Sequence, residues 1–265
     1  MDPKCDFIGN CLKIKQLHPI VHNITNFVAM NFSANALAAV GASPLMSAEK
    51  EEMEEIVSSA DALVVNIGTI DSHQAEAMEI AVHSACRLGK PWVLDPAGVG
   101  LSRLRTRTAM HLVSDFHPTI IRANASEILC LSGCTAKRHG LDSAVSGSEA
   151  LEEAKEMSRS CSSVVVLSGE IDYITDGQTV VQIHGGSPIM KQVTAMGCTA
   201  SALCAAFAAV CSDALEAASC AMAAMAAAGK HAAAKCGGPG TFAACFLDCL
   251  AGIDPSECSK TIRYE

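Results

Sequence analysis

Ala62-Leu63-Val64-Val65-Asn66-Ile67, then an amphipathic stretch over 72–89, then Trp92-Val93-Leu94-Asp95 is the succession that decides the fold. The two short runs are apolar without alternation, as strands buried on both faces are. The segment between them is long enough to be the helical crossover that parallel neighbours require. The same rhythm continues outward. Thr119-Ile120-Ile121-Arg122 and Ser163-Val164-Val165-Val166-Leu167-Ser168 are two more strand-length runs, with amphipathic segments at 49–60, 103–115 and 148–160. The pattern predicts an α/β fold with a mainly parallel central sheet and helices on both faces. Tyr173 to Val181 departs from it, because Asp176-Gly177 between β-type runs predicts an antiparallel hairpin. Residues 199–253 read as two or three helices with a break at Gly237-Gly238-Pro239-Gly240. No repeat or long linker divides the chain, so residues 1–265 are expected to form one domain.

Composition narrows the function. Half of the 265 residues are apolar and only 4% aromatic, and the net charge is −9 with the basic residues scattered. Neither a nucleic-acid partner nor a membrane partner is expected from such a surface. The alanine-rich stretch after Cys198 is interrupted by Asp213 and Glu216, which favours packed helices over a membrane span. Fourteen cysteines are present, but none forms a C-x-x-C pair. Cys130/Cys134 and Cys245/Cys249 have a spacing that helices use for packing as readily as for ligation. Buried cysteines in a reducing, cytoplasmic setting are the plainer reading, and residues 1–6 carry no apolar signal core.

The chemistry is expected at the carboxyl ends of the strands, where open parallel sheets bind ligands. Those ends read His22-Asn23, Met46, Asn66 to Gly68, Asp95, Arg122 with Asn124, and Ser168-Gly169. Each alone is an ordinary turn or cap residue. Together, with one arginine and one aspartate, they suit a charged ligand. Asp95 could hold part of a Mg²⁺ shell. Asn124 and Glu127, at i and i+3, satisfy a capping box equally well, though Glu127 could orient metal-bound water. Arg122 ends an apolar strand where a guanidinium would meet phosphate oxygens. Finally, Lys191-Gln192-Val193-Thr194-Ala195-Met196-Gly197-Cys198 runs into a helix, so a glycine turn offers unpaired N–H groups to an anion and favours a Cys198 thiolate. These parts meet the needs of phosphoryl transfer without a P-loop or a G-x-G-x-x-G fingerprint.

Val21-His22-Asn23-Ile24-Thr25-Asn26-Phe27, Gly41 to Met46, Asn66-Ile67-Gly68-Thr69, Val93 to Gly100 (with Asp95-Pro96-Ala97-Gly98-Val99-Gly100), Ile121 to Ile128, Leu167 to Glu170 and Val193 to Cys198 resemble hydroxyethylthiazole kinases, in order and near family spacing, over about residues 18–250. The resemblance implies a ribokinase-like fold without a separate lid. It implies Mg²⁺-assisted transfer of the ATP γ-phosphate to the hydroxyl of 4-methyl-5-(2-hydroxyethyl)thiazole, in thiamine salvage. It assigns Met46, Asn23, Thr25, Phe27, Gly68 and Ala195 to the thiazole pocket, and Arg122, Asn124 and Ser168 to ATP. Asp95 and Glu127 go to the metal and phosphates, and Gly197 and Cys198 to the transfer itself. A homotrimer with sites near subunit interfaces is also implied.

Two departures stand out. The family usually reads Thr-Gly-Thr-Gly-Cys where this chain has Thr194-Ala195-Met196-Gly197-Cys198, and Ser168 replaces the usual threonine. Ala195 disfavours a positive φ if one is needed there. The altered pair keeps two other readings open: a kinase of the same fold acting on another small ring alcohol, and a non-catalytic binder of thiazole or nucleotide.

Overall fold

The computed structural model describes residues 6–133 and 150–264. Residues 1–5, Cys134, the first two residues of the 148–160 segment and Glu265 lie outside the described residues.

In chain order the elements are α1 (Phe7–Leu17), β1 (Ile20–Ile24), α2 (Met30–Val40), β2 (Ser43–Met46), α3 (Met53–Ser59), β3 (Ala62–Asn66), α4 (Ser72–Arg87), β4 (Trp92–Asp95), α5 (Arg103–Phe116), β5 (Ile120–Asn124), α6 (Ala125–Leu131) and α7 (Leu151–Cys161). They continue as β6 (Val164–Ser168), β7 (Asp172–Thr175), β8 (Val180–Ile183), α8 (Met196–Ala208), α9 (Ala214–Lys235), α10 (Pro239–Ala251), α11 (Pro255–Ser259) and β9 (Ile262–Tyr264). One sheet takes all nine strands in the order β2-β1-β3-β4-β5-β6-β7-β8-β9. β2 through β6 pair in parallel, and β6 through β9 pair antiparallel.

Period-two alternation within continuous apolar runs puts each strand in two cores at once. Ala62 and Val64 of β3 face one core, with Val93, Ile120, Val164 and Val166 from the neighbouring strands. Leu63 and Val65 face the opposite core, with Trp92, Leu94 and residues of α3, α4 and α5. A third cluster lies beneath α6 and α7, around Ile121, Val165 and Leu167. The first core is built against α1, α2, α8, α9 and α10, where alanines dominate. Small side chains there let helix backbones approach each other and the sheet closely.

The sequence-based boundaries shift in several places. The 49–60 segment divides into a 3-10 turn over Lys50–Glu52 and then α3, because Glu49 caps the turn through Glu51 N–H. β3 ends at Asn66, one residue early. β5 runs on to Asn124, where that asparagine caps α6. The hairpin at Asp176-Gly177 forms as expected, with Gly177 at φ +89°. β9 was not expected; its three residues complete the sheet edge against β8 and are too short to carry a periodic signal. No helix among the described residues is long and apolar enough to cross a membrane.

Candidate active site

Register aligns the polar strand ends in one row. Asn23 pairs across from Met46, Asn66 from Asp95, and Asn124 from Ser168. α8 enters this row with its N-terminus, so the anion-binding end of a 13-residue helix meets the carboxyl ends of the strands.

Asp95 closes β4 and is 1% exposed. Its Oδ2 accepts a 2.8 Å hydrogen bond from Ser201 Oγ of α8 and lies 4.0 Å from Arg122 Nη1. Burial pushes its carboxyl pKa up, and Arg122 works against that. Arg122 Nη2 donates to Ser168 Oγ at 2.6 Å, while its buried Nε has no hydrogen-bond partner. Burial alone would lower the guanidinium pKa, but Asp95 and Glu127 outweigh it and keep Arg122 charged. A fixed cation with an unused buried donor suits phosphate oxygens.

Glu127 fills the capping role that its spacing allowed. Its Oε2 accepts from Asn124 N–H at 2.9 Å while Asn124 Oδ1 accepts from Glu127 N–H at 2.9 Å, a complete capping box. Its Oε1 accepts from Gly98 N–H at 3.0 Å, tying α6 to the turn after Asp95. Burial and then the neighbouring Asp95 push its pKa up. Asn124 Oδ1 is thus engaged in the cap.

The turn into α8 differs from the sequence expectation. The left-handed residue is Ala195, at φ +75° as the N-cap, and not Gly197. Gly197 is needed for another reason: a Cβ there would stand 2.5 Å from Arg122 Nη1. Ala195 has no side chain able to cap the helix, so the first N–H groups of α8 stay available. Met196 points into the core, 8% exposed.

Cys198 corrects a second expectation. Its thiol is pushed up to about 11, by burial first and then by Asp95, so the helix N-terminus does not make it a ready thiolate. Asn26 Nδ2 and Asn66 Nδ2 each donate to its Sγ at 3.2 Å.

The remaining residues expected at the site fall around this centre. Asn23 and Thr25 are buried, with Asn23 Nδ2 bonded to Val21 O at 2.8 Å and its Oδ1 unpartnered. Met46 and Gly68 are half-buried. Phe27 is not enclosed: it is 68% exposed, beside Val28 at 60%. The resemblance placed Asn26 in the Asn23–Phe27 block at the thiazole pocket, without a role of its own, and sequence reasoning assigned none to Asn66, Ser201 or Asp172. Asp172 accepts from Gly169 N–H at 2.9 Å, and burial pushes it up to about 6. Asn66 was visible as a strand end; the others carried no separate signal.

Among the described residues no group of three or more His, Cys, Asp or Glu side chains could enclose a metal. The donor set still fits Mg²⁺, which keeps most of its waters and needs only one or two carboxylates. Asp95 pushes the Glu127 pKa further up, a repulsion that a divalent cation held by both carboxylates would relieve.

The model of the Hydroxyethylthiazole kinase family matches residues 11–256. The hydroxyethylthiazole kinase of Brachyspira hyodysenteriae is 46% identical over 257 residues, 97% of each chain. That of Nitratidesulfovibrio vulgaris is 47% identical over 245 residues, 92% of each. The solved hydroxyethylthiazole kinase protein from Pyrococcus horikoshii superposes with a TM-score of 0.89 at 34% identity, covering 98% of each chain. Pyridoxal kinase from Staphylococcus aureus, solved with ADP, shares the fold alone, at a TM-score of 0.60 and 18% identity over 80% of this chain and 88% of that one.

Proposed function

The chain belongs to the hydroxyethylthiazole kinase family, and on that premise we propose how its own residues perform the reaction. ATP is the phosphate donor and 4-methyl-5-(2-hydroxyethyl)thiazole the acceptor, in thiamine salvage. The observation that carries the reading is Arg122, held between Asp95, Ser168 and Gly197 at the N-terminus of α8.

Arg122 and the first N–H groups of α8 bind the phosphate oxygens and neutralise the charge that spreads over them during transfer. Ser168 holds the guanidinium in place. Asn23, Thr25, Met46, Gly68 and Ala195 border the thiazole, with its hydroxyl toward Cys198. The hydroxyl oxygen attacks the γ-phosphorus as the bond to the ADP oxygen breaks. Its proton passes to Cys198 Sγ in the fraction of molecules where that sulfur is ionised. Asp95 and Glu127 would hold Mg²⁺, which when bound shields the phosphate charge. In the unliganded site Asp95 balances Arg122.

We also propose a homotrimer, with Phe27 and Val28, an exposed apolar pair beside the pocket segment, at a subunit contact. A reducing, cytoplasmic setting agrees with the free cysteines among the described residues. The chain acts as one domain, since its single sheet draws strands from Ile20 through Tyr264.

Mass spectrometry of products formed from Mg·ATP with hydroxyethylthiazole, pyridoxal or a hydroxymethylpyrimidine tests the acceptor. Phosphorylated thiazole as the dominant product is the expected outcome. Dominant phosphorylation of another ring alcohol would overturn the assignment.

A further inference from the structure

Asn26 and Asn66 form a directed amide pair around one sulfur. Asn26 Oδ1 accepts from Ala29 N–H at 2.9 Å, and Asn66 Oδ1 accepts from Gly68 N–H at 2.9 Å. Backbone donors therefore fix both oxygens, and both NH₂ groups must turn the other way. Asn26 Nδ2 donates to Asn66 Oδ1 at 2.9 Å and to Cys198 Sγ at 3.2 Å; Asn66 Nδ2 donates to the same sulfur at 3.2 Å. The two asparagines come from different parts of the sheet end, one after β1 and one closing β3. They meet only because β1 and β3 are neighbours.

Gly68 supplies a separate observation. A Cβ there would lie 2.8 Å from Asn26 Nδ2 and 2.9 Å from Asn66 Oδ1. The backbone at 68 approaches the pair so closely that only glycine leaves it undisturbed. Cys198 thus receives two N–H donors whose orientation is set by main chain on both sides. The two amides hold the sulfur on one side, with Asp95 also against it.

We propose that Asn26 and Asn66 are positioning residues, a clamp that holds Cys198 Sγ in register with the reacting hydroxyl, with Gly68 providing the room that the clamp needs. The inference rests on the reading that Cys198 serves the transfer. Asn66 also hydrogen-bonds Asp95, so the clamp is the part of the effect that depends on Cys198, which separates it from a general role in stability. Removing a clamp amide should lower kcat while leaving the KM for ATP near its original value, because neither amide bonds the Arg122 guanidinium or the first N–H groups of α8.

The test is a double-mutant cycle in kcat, with Asn66→Ala, Asn26→Ala and Gly68→Ala each made alone and in a Cys198→Ala background. The clamp predicts losses of about tenfold or more with Cys198 present and about twofold or less without it. Equal losses in both backgrounds would overturn it. A second readout needs no turnover: the S–H stretching band of Cys198, isolated as the infrared difference between each protein and its Cys198→Ala partner. The band should move in all three variants, and an unmoved band would overturn the clamp. A moved band in a protein that shows no thiazole-dependent turnover supports the clamp and overturns the assigned reaction instead.

Discussion

Gly197 lies beneath the guanidinium of Arg122, so close that a Cβ would stand 2.5 Å from Nη1 and 3.0 Å from Nη2. A helix residue has given up its side chain to let a buried cation sit against the helix N-terminus. Gly197→Ala should leave the fold intact, because alanine favours the helix and the arginine tip can yield. The displaced guanidinium would lose its aim at phosphate. A fall of about 10- to 100-fold in kcat/KM for ATP is expected, with an unchanged or raised thermal midpoint. Unchanged kinetics would remove Arg122 from the phosphate site.

Ala195 holds φ +75°, a conformation that costs an alanine about 1 kcal/mol and a glycine almost nothing. Ala195→Gly should therefore raise stability by up to about 1 kcal/mol, a shift of a few degrees in thermal midpoint. Activity should be kept or raised, since the turn is retained. A lowered midpoint would show that the unfolded-state entropy of glycine outweighs the strain.

His22 is completely buried on β1, with Nε2 donating to Ser47 O at 3.1 Å and Nδ1 without a partner. Burial lowers its pKa to about 4 from an ordinary 6.5. The unfolded chain therefore takes up this proton first as pH falls. Stability from the neutral ring is complete above pH 6.5 and is lost progressively toward pH 4, on the order of 3 kcal/mol in all. Urea unfolding at pH 7 and pH 5 should show the loss, and His22→Gln should flatten it. The variant comparison separates His22 from Asp95 and Glu127, whose raised pKa values act in the opposite sense. An equal pH slope in the variant would contradict this assignment.

How much of this was legible in the sequence follows the physics of each signal. Buried parallel strands announce themselves as continuous apolar runs, so β3, β4, β5 and β6 could be read to within a residue or two. The capping box at Asn124 and Glu127 is a local pattern, and it was readable as such. The sulfur's environment was not. Whether Cys198 meets helix dipole or desolvation depends on residues 132 and 172 positions away, Asn66 and Asn26, and on Asp95 beneath it. Likewise Gly197 looked like the turn residue, because spacing cannot tell a positive φ from a close approach by a side chain. That distinction appears only once Arg122 is placed.

Cys198 sits among donors suited to an anion, two amides and a helix N-terminus, yet burial keeps the thiol up at about 11. A carboxylate at the same position would accept both amides and would be ionised far more often. Cys198→Asp should therefore keep or raise kcat. A thousandfold loss with intact thiazole binding would show that repulsion from Asp95 outweighs the gain.

The most direct test of the central claim is ADP release from Mg·ATP, with and without hydroxyethylthiazole, for the protein and for Cys198→Ala. The account predicts turnover that requires the thiazole and falls in the variant. Thiazole binding without thiazole-dependent turnover would contradict it, and would make this chain a binder whose phosphate cradle is spoiled at Ala195-Met196.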